Sequence, residues 1–565
     1  MNRNEVSPES GGLWADRGPA TWGKIEDWSL PSQLAQRVAS TPDSPFISFG
    51  NGPVFSFSDI DCRARRLAAR LSKLGVSRQG RALLMVPNQV EFIDGWFALN
   101  LLGVSDINLN TAYRKAPLVH AVNLSQAETI LLTASMLPSI IEVQHELEYL
   151  KQVIVLDDDE ISTGAFSGSL DILSHRDLPF EENVALPSVP HHAEASVIFT
   201  SGTTGPAKGV MMPQALGVAI AREAIDALRI TAEDTCLCVH PLFHMGAKFG
   251  AVLAALVAGS QIVVDRRFEA ESWLERVRST GATVSTAHGP MIEMIHAQPV
   301  RSDDADNPLR ALSCCPLPKA IAESFQSRFG LKGVEVWGMT EVSCASWMDL
   351  DEPGRIGSAG RPVPGLFDIR IVNPETDAEQ PPGVVGEIVV RSLVPWVTFT
   401  GYMNMPEKTA QSWRNLWLHS GDAGYVDQEG YLYMVDRLGD RIRRRAENIS
   451  SYDIETAALK LGSVTECAAV GVPSEFANDD DIKLYIVTDG EQLEWSSVFT
   501  HMVRHLPHYM VPRYYQRLDA LPRTPATNKV QKAKLRVKQF GGDDAWDYRA
   551  AGLSIHATTL NRKSK

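Results

Sequence analysis

Short apolar runs alternate with helical stretches along most of the chain, and this alternation limits the choice of fold more than any other feature. The runs that read as buried strands are Ala82–Val86, Glu128–Leu132, Gln261–Val264 and Ala282–Ser285. One helical pattern begins at Ser58, its predicted N-cap, and ends at Gly75, and another runs from Glu91 to Leu102. Strands that alternate with helices predict α/β layers built on largely parallel sheets.

The pattern changes near Gly365, and this change divides the chain into regions. Phe367–Val372 and Gly386–Val390 alternate at period two, which predicts a β-rich subdomain, and a smaller unit carries the apolar run Cys467–Val472. A chain of 565 residues is also too long for one hydrophobic core. The expected regions are a large N-terminal domain of doubly wound α/β sheets at 1–437, which includes the β-rich subdomain at about 365–437, a hinge at 438–440, and a small mobile C-terminal α+β domain at 441–565.

Charge and cysteine content argue against several classes of protein. The formal net charge is −14, whereas general nucleic-acid binders are more often basic, so we expect no nucleic-acid partner. No apolar segment typical of a secretory signal follows Met1, and the run Phe249–Val257 is too short to span a bilayer. Seven cysteines without a Cys-x-x-Cys pair predict reduced thiols. We therefore expect a cytoplasmic protein with no transmembrane segment.

A stretch rich in hydroxyl side chains, Thr200–Gly209, directly follows the apolar run Ala195–Phe199. Its small residues let the backbone approach a polyphosphate, its hydroxyl and N–H groups can donate to phosphate oxygens, and Lys208 adds positive charge. The alternative is a flexible Ser/Thr/Gly turn, which the density of hydroxyl groups beside a lysine disfavours. The stretch does not fit a Walker A motif. It predicts a phosphate-binding loop of another kind.

Four more segments follow this loop in a fixed order. They are Trp337–Glu341, Trp417–Asp422, Asp436–Arg437 and Leu521–Lys529. With the loop, they resemble the ordered motifs of the adenylate-forming superfamily, which contains acyl-CoA synthetases, peptide-synthetase adenylation domains and beetle luciferase. The resemblance runs from about Leu30 to Arg536. Within the superfamily, the segments Arg443–Ser450 and Trp413–Trp417 are most similar to fatty-acid and carnitine-type CoA ligases.

The resemblance implies an ATP-dependent enzyme that uses Mg²⁺ and makes an acyl-adenylate, normally followed by thioester formation with CoA. Both reactants of the first step are anionic, so charge neutralisation and alignment dominate its catalysis. The resemblance implies that Glu341 helps to hold Mg²⁺ and that Thr340 donates to the α-phosphate. It implies that Lys529 contacts both the substrate carboxylate and the phosphate, although a solvated lysine is the alternative for this residue in isolation.

The nucleotide site implied by the resemblance draws on several segments. Asp422 would accept hydrogen bonds from both ribose hydroxyls, Arg437 would also reach the ribose, and adenine would stack near Trp337 beside the turn at 313–316. Taken alone, Asp422 also suits a turn, and Trp337 also suits core packing. The full set of expected ATP-binding residues is Thr200, Ser201, Gly202, Thr203, Thr204, Lys208, Trp337, Gly338, Asp422 and Arg437.

The expected acyl pocket is made mainly of small residues. Its members are His244, Gly246, Ala247, Gly250, His288, Gly289, Ser313 and Trp337. His244 matches a family position that gates this pocket, and a satisfied core histidine is the alternative. Small residues predict a roomy pocket for a bulky or long apolar acid, and fatty, carnitine-like, aryl and polycyclic acids all stay open. We expect no acidic residue that holds an α-amino group, and we expect Lys248 to be a solvated surface lysine.

Two positions depart from the family pattern on the implied path of CoA. The hinge residue is Gly439, and glycine permits the backbone rotation that the second half-reaction needs. Ala446 stands where relatives have glycine in the pantetheine tunnel. Arg443, Arg444 and Arg445 suit CoA phosphates and equally a solvated basic face. Either the loop absorbs one methyl group and CoA is used, or CoA transfer is impaired.

The alternatives to a CoA ligase differ in what receives the acyl group. If CoA transfer is impaired, the acyl-adenylate would pass to a partner CoA ligase or to the thiol of a separate carrier protein, because no carrier domain follows Arg536. A non-catalytic relative that only binds nucleotide is disfavoured, since Glu341, Asp422 and Lys529 are all present. The sequence leaves the identity of the acid and the formation of a homodimer open.

Overall fold

A computed structural model describes most of the chain. The described residues are 19–76, 80–157, 170–181, 184–200, 207–319, 321–437, 442–444, 447–449, 451–476, 479–488, 493–522, 530, 532–536 and 544–555. Two large sheets, a smaller antiparallel sheet and a C-terminal unit make up these residues. The predicted α/β fold class, with a large N-terminal part and a smaller C-terminal part, is therefore confirmed. The domain limits proposed from the sequence stay predictions.

The first large sheet has nine strands within the described residues. Their spatial order is β16 Arg361–Pro362, β15 Ser343–Trp347, β14 Lys332–Met339, β13 Ala311–Cys315, β12 Val284–His288, β10 Thr235–Cys238, β11 Gln261–Val264, β1 Pro45–Phe49 and β2 Val54–Ser56. The six strands from β14 to β1 are parallel, and the outer pairs are antiparallel. The ends of β12, β13 and β14 consequently lie side by side at one edge of the sheet.

The second large sheet has eight strands in the part of the chain that the structure describes. Their spatial order is β19 Gly401–Tyr402, β9 Lys208–Pro213, β8 Glu194–Thr200, β4 Ser105–Asn108, β3 Arg81–Met85, β5 Thr129–Leu132, β6 Gln152–Val155 and β7 Asp171–Ser174. The strands from β8 to β7 are parallel. Every residue of β4 and β5 is buried, because helices cover both faces of a parallel sheet. This burial explains why such strands read as continuous apolar runs.

Helices fill the space on and between the sheets. The α-helices are α1 Leu30–Ser40, α2 Phe57–Lys73, α3 Val90–Leu101, α4 Lys115–Ser125, α5 Leu137–Val143, α6 Gln214–Leu228, α7 Met245–Ala247, α8 Ala254–Ala258, α9 Trp273–Thr280, α10 Gly289–His296, α11 Ala322–Phe329, α12 Pro406–Ser412, α13 Ser451–Leu459, α14 Trp495–His505 and α15 Lys532–Leu535. The π-helical segment Lys248–Leu253 joins α7 to α8. Short 3-10 helices lie at Pro19–Thr21, Ile25–Asp27, Ala134–Met136, Gln144–Glu146, Arg414–Leu416 and His508–Met510. Among the described helices, none has the length and apolar character needed to cross a bilayer.

The start of α2 differs from the prediction. Ser56, and not Ser58, is the N-cap, because Ser56 has an extended backbone and its hydroxyl accepts a hydrogen bond from the Asp59 N–H at 3.1 Å. The Asp59 carboxylate in turn accepts from the Ser56 N–H at 2.9 Å. This reciprocal capping box satisfies two donors that a helix start otherwise leaves unpaired. The helix therefore begins at Phe57, and Ser58 lies inside its first turn.

The β-rich region and the C-terminal region form separate sheets. The antiparallel sheet β17 Phe367–Val372, β18 Gly386–Ser392, β20 Leu418–Val426 and β21 Leu432–Arg437 follows the two large sheets in the chain. Beyond it lie the pair β22 Ile442–Arg444 and β23 Glu447–Ile449, and the sheet β24 Glu466–Pro473, β25 Asp480–Val487, β26 Tyr514–Arg517 and β27 Trp546–Asp547. The C-terminal unit has its own apolar core, and its Tyr509 hydroxyl accepts a hydrogen bond from Asn110 at 3.2 Å.

Lys248 is buried, so its prediction as a solvated surface lysine is wrong. Its side chain is 0% exposed and forms an ion pair with Asp106, and its ammonium group donates to the Ser196 hydroxyl at 2.7 Å. The ring of Trp96 lies 4.7 Å from the same ammonium nitrogen. Burial lowers the pKa of Lys248 to about 8, and Asp106 opposes this shift. The pair compensates the desolvation of both charges and joins the π-helical segment to β4.

Candidate active site

A cleft of about 1080 Å³ collects most of the residues that the sequence singled out. Its walls come from both large sheets, from the antiparallel sheet and from the C-terminal unit. The predicted residues that line it are Thr200, Lys208, His244, Gly246, Ala247, Gly250, His288, Ser313, Trp337, Gly338, Thr340, Glu341 and Asp422. These residues are far apart in the chain, and the strand ends and loops around the cleft bring them together.

Several predicted residues lie outside the cleft or outside the described part of the chain. Gly289 is not among the residues that line the cleft, and it is buried at the start of α10, where an added Cβ would lie 3.4 Å from the Pro316 carbonyl oxygen. The expectation that Gly289 shapes the acyl pocket stays a prediction. The backbones of Arg437 and Arg443 lie in β21 and β22. The predicted residues Ser201, Gly202, Thr203, Thr204, Gly439, Arg445, Ala446 and Lys529 lie outside the described residues.

A cation and a carboxylate in the cleft lining both contact one tyrosine. Thr200 ends β8 and Lys208 begins β9, and the two are paired across the strands. The Lys208 ammonium nitrogen lies 4.1 Å from the centre of the Tyr402 ring. The Tyr402 hydroxyl donates to Glu341 Oε1 at 2.8 Å. Tyr402 therefore contacts both the buried Glu341 carboxylate and Lys208, the residue at which β9 begins after the predicted phosphate loop.

The hairpin at 338–344, which connects β14 to β15, carries Thr340 and Glu341 and is tightly closed. A Cβ added to Gly338 would lie 1.8 Å from the Ser343 carbonyl oxygen, so only glycine fits there. Ser343 has φ +72°, which is rare for a residue with a side chain. The Glu223 carboxyl, from α6, accepts from the Ser343 hydroxyl at 2.7 Å and from the Cys344 N–H at 3.0 Å.

The predicted adenine and ribose contacts are linked directly. The Trp337 indole N–H donates to Asp422 Oδ2 at 3.0 Å, and both side chains are buried, at 3% and 2% exposure. Asp422 lies opposite Arg437 in the pairing of β20 with β21. The Ser420 hydroxyl accepts from the Asp422 N–H at 3.0 Å. The indole thus fixes the carboxylate that the sequence predicts to bind the ribose.

Apolar residues also line the cleft. One face of α6 contributes four residues at helical spacing, Ile220, Ala224, Ala227 and Leu228. The lining also includes Gly246, which is exposed and has no atom within 4 Å of the position of an added Cβ. The ring centres of His240 and His288 lie 4.4 Å apart, and burial lowers the pKa of His240 to about 4. A neutral His240 therefore forms part of the wall at physiological pH.

Sequence reasoning missed several charged or aromatic residues that line the cleft, among them Glu223, Lys319, Glu335 and Tyr402. Glu335 lies between Val334 and Val336 in a buried strand. An isolated acid within an apolar pattern was the available signal for it, because such a residue needs a partner when it is buried. Glu223 follows Arg222 and is close to Asp226, so it reads as one of several helix-surface charges, and Lys319 and Tyr402 carry no comparable local signal either. The expectation that no acidic residue holds an α-amino group stays a prediction, and the Glu223 carboxyl accepts hydrogen bonds from Ser343 and Cys344.

Stability should fall with pH because of Glu335. Burial raises the pKa of this carboxyl from 4.5 to about 8, and Lys319 opposes the shift only in part. Between these values the folded chain retains a proton that the unfolded chain has released, so the free energy of unfolding decreases as pH rises from about 4.5 to 8. The largest loss in the free energy of unfolding that Glu335 can cause is a few kcal/mol, since one pKa unit corresponds to about 1.4 kcal/mol.

We expect the Glu335→Gln variant to lose part of this pH dependence. Its thermal midpoint, compared with that of the wild type between pH 5 and about 9, should decline less over the window. Lys319→Met is the matched control, because removal of the opposing cation should raise the Glu335 pKa further and steepen the decline. Identical pH profiles for Glu335→Gln and the wild type would contradict the assignment.

Comparisons with known proteins place the chain in a family. The AMP-binding enzyme family matches residues 34–403, and the AMP-binding enzyme C-terminal domain matches residues 453–527. The chain therefore belongs to the AMP-binding enzyme family. The resemblance to the adenylate-forming superfamily and its acyl-CoA synthetases, inferred from the sequence, is confirmed.

Individual relatives cover nearly the whole chain. Feruloyl-CoA synthase of Amycolatopsis sp is 29% identical over 524 residues, which is 92% of this chain and 100% of that protein. Crotonobetaine/carnitine–CoA ligase of Proteus mirabilis is 28% identical over 491 residues, 85% of this chain and 92% of that protein. 4-Coumarate–CoA ligase 5 of Oryza sativa is 26% identical over 543 residues, 92% of this chain and 97% of that protein.

Solved structures share the fold. O-Succinylbenzoate CoA synthetase from Bacillus subtilis superposes with a TM-score of 0.77 at 23% identity, over 91% of this chain and 99% of that chain. The amide bond synthetase from Marinactinospora thermotolerans superposes with a TM-score of 0.76 at 22% identity, over 89% of this chain and 99% of that chain. These similarities concern the fold of both the large and the small part of the chain.

Proposed function

We propose that this chain activates a bulky or long apolar carboxylic acid with ATP to an acyl-adenylate and transfers the acyl group to CoA. The observation that carries this proposal is that one cleft is lined both by Lys208 and Glu341 and by apolar residues of α6. A nucleoside triphosphate suits the charged residues, and an acyl chain suits the apolar residues. The CoA ligases among the relatives support the same reaction.

The first half-reaction joins the two anions by displacement at phosphorus. A carboxylate oxygen attacks the α-phosphorus of ATP, the bond from that phosphorus to the bridging oxygen breaks, and pyrophosphate leaves. Lys208 and the Thr340 hydroxyl stabilise phosphate charge, and Lys529 contacts carboxylate and phosphate together. Asp422, held by the Trp337 indole, orients the ribose, and Arg437 adds a second ribose contact. His244 gates the passage between nucleotide and acyl chain.

The second half-reaction moves the acyl group to sulfur. The CoA thiolate attacks the acyl carbon, the carbon–oxygen bond to AMP breaks, and AMP leaves. Rotation about the hinge at Gly439 exchanges the C-terminal contacts between the two steps. Arg443 and Arg445 are assigned to the path of CoA from the sequence, because their charge suits its phosphates.

The cleft suits an Mg²⁺ ion that enters bound to ATP, because the protein then needs to supply few of its ligands. Among the described residues, no group of three or more acidic, histidine or cysteine side chains is placed to hold an ion without help. Mg²⁺ is usually bound by one or two carboxylates together with substrate phosphates, and Glu341 supplies one buried carboxylate at the cleft. When bound, the ion would neutralise phosphate charge. Tyr402 orients the Glu341 carboxylate through its hydroxyl.

The proposed acid class is tested by a panel of acids and one cavity-filling variant. Pyrophosphate release should be fastest with fatty, hydroxycinnamic or other bulky acids and slow with acetate. Gly246→Leu adds a side chain to the lining of the cleft, where no atom lies within 4 Å of the new Cβ. It should therefore raise the KM for bulky acids about tenfold or more and leave the KM for propionate unchanged. Equal losses for short and bulky acids would contradict the assignment of this pocket. Absence of pyrophosphate release with every acid would contradict adenylation itself.

A second candidate function is adenylation without efficient CoA transfer, and Ala446 motivates it. An added methyl group in the pantetheine tunnel would obstruct CoA, and a left-handed backbone there would cost about 1–2 kcal/mol. In that case Ala446→Gly should increase thioester formation about tenfold and leave pyrophosphate exchange unchanged. The acyl-adenylate would then pass to a partner ligase or a carrier thiol. Equal CoA turnover in both proteins would remove this candidate.

A further inference from the structure

Glu223 is a buried acid that the reaction described above does not use. It lies in the middle of α6 at 1% exposure, on the face that also carries the apolar wall residues Ile220 and Ala227. Burial raises the pKa of this carboxyl well above its usual range. Burying a polar group is costly unless its hydrogen bonds are satisfied, and both oxygens of Glu223 accept hydrogen bonds from the 338–344 hairpin.

One of the two partners of Glu223, Ser343, has an unusual backbone conformation. Ser343 has φ +72°, a conformation that costs a non-glycine residue free energy unless its surroundings impose it. The Ser343 hydroxyl and the next N–H, from Cys344, both donate to the Glu223 carboxyl, at 2.7 and 3.0 Å. Two hydrogen bonds to one planar group fix the direction of the chain at this point. Glu223 therefore supports the strained residue from the helix side.

A shift of Ser343 would displace Thr340 and Glu341, the residues proposed to act on the phosphates. The Ser343 carbonyl oxygen packs directly on Gly338, where no Cβ fits, and Ser343 pairs with Met339 across the hairpin. Thr340 and Glu341 lie between these two points of contact. Opening the hairpin at Ser343 would therefore move both side chains relative to the cleft. Misplacement of a catalytic group by about 1 Å can cost about 10²-fold in rate.

We propose that Glu223 is a positioning residue for adenylation, which holds the 338–344 hairpin closed so that Thr340 and Glu341 face the cleft. The inference rests on the proposed function, since it assigns the effect to the adenylation step. Glu223 acts through Ser343 and Cys344 and does not contact the reacting atoms. The helix α6 thus carries both apolar residues that line the cleft and the carboxyl that supports the hairpin.

The sharpest test uses two substitutions of Ser343 that remove the same hydroxyl. Ser343→Ala keeps the left-handed strain without one of its hydrogen bonds, and Ser343→Gly relieves the strain. We expect Ser343→Ala to lower kcat for pyrophosphate release about tenfold and Ser343→Gly to stay within about threefold of the wild type. The KM for the acid should change less than about twofold in both, because the apolar wall is untouched. Equal kcat values for the two variants would overturn the proposal.

Substitutions of Glu223 itself provide the second arm. Glu223→Gln can accept from the Cys344 N–H and donate to the Ser343 hydroxyl, so it should retain activity within about threefold. Glu223→Met should lower kcat by about 10- to 100-fold. The double variant Glu223→Met with Ser343→Gly should recover at least part of the loss, about fivefold, since the strained residue has gone. A purely structural role would give no recovery, and full activity of Glu223→Met would equally overturn the proposal.

The test separates this inference from the function on which it rests. If the wild type releases no pyrophosphate with any acid, the proposed function fails. The Kd for MgATP, measured by calorimetric titration, then compares the same variants. A displaced hairpin should weaken nucleotide binding in Ser343→Ala and not in Ser343→Gly. Should Glu223→Met fail to fold, the Ser343 pair decides alone. Equal MgATP affinities in that pair would overturn the positioning role.

Discussion

Replacing Gly338 by alanine is expected to reduce ATP-dependent pyrophosphate release by about 10²-fold or more. The added Cβ would lie 1.8 Å from the Ser343 carbonyl oxygen and 2.7 Å from Cys344 Cα. Both contacts are with backbone atoms, which cannot move aside as a flexible side chain can. The hairpin must therefore open, and Thr340 and Glu341 would be displaced with it.

Gly354→Ala is the matched control for this substitution. No atom lies within 4 Å of its added Cβ, and its backbone is not left-handed, so the change should leave activity and thermal midpoint close to those of the wild type. Gly338→Ala should lower both kcat and affinity for MgATP, measured by pyrophosphate release and by calorimetry. Normal kinetics in a folded Gly338→Ala protein would contradict the proposed role of the hairpin.

Replacing Lys529 by methionine is expected to separate the two half-reactions. Removing a preorganised charge that stabilises a transition state costs about 10²–10³-fold in rate, so pyrophosphate release should fall by that factor. Thioester formation from a synthetic acyl-adenylate and CoA should be retained, because the proposed rotation about Gly439 would remove Lys529 from the reacting groups before the second step. The expectation comes from the sequence motif, since Lys529 lies outside the described residues.

Lys534→Met provides the control for Lys529→Met. Lys534 lies in the short helix α15, is exposed, and is five positions further along the chain. Its loss should leave both half-reactions within about twofold of the wild type, because an exposed charge in water contributes little. Equal loss of both half-reactions in Lys529→Met, or no loss of the first, would contradict the assignment.

The fold could be predicted largely from apolar periodicity. The predicted strand Phe367–Val372 coincides with β17, and the predicted run Ala82–Val86 lies one residue from β3. The run Ala282–Ser285 was displaced from β12, which begins at Val284. Ala282 instead belongs to the end of α9, because its N–H donates to the Val277 carbonyl after the left-handed Gly281. Apolar periodicity therefore predicts the strands well, except where the first apolar residue of a run belongs to the end of the preceding helix.

Residues whose environment depends on distant partners could not be predicted. Lys248 reads as an ordinary charged residue until Asp106, 142 positions away, is brought against it by the packing of the π-helical segment on β4. Glu223 likewise meets Ser343 across 120 positions. The motif residues Thr340, Glu341 and Asp422 were found because several motifs in order identify a family, whereas these supporting contacts follow no motif.

The π-helical segment Lys248–Leu253 amounts to one extra residue within an otherwise regular helical stretch from Met245 to Ala258. Deleting a single residue there would restore ordinary helical winding, because a π-helical turn holds about one residue more than an α-helical turn. The flanking helices α7 and α8 would keep nearly the same orientation, and the change would fall on the residues of the π-helical segment, which include the buried Lys248. The ion pair between Lys248 and Asp106 therefore depends on one inserted residue, without a new loop or a rebuilt sheet.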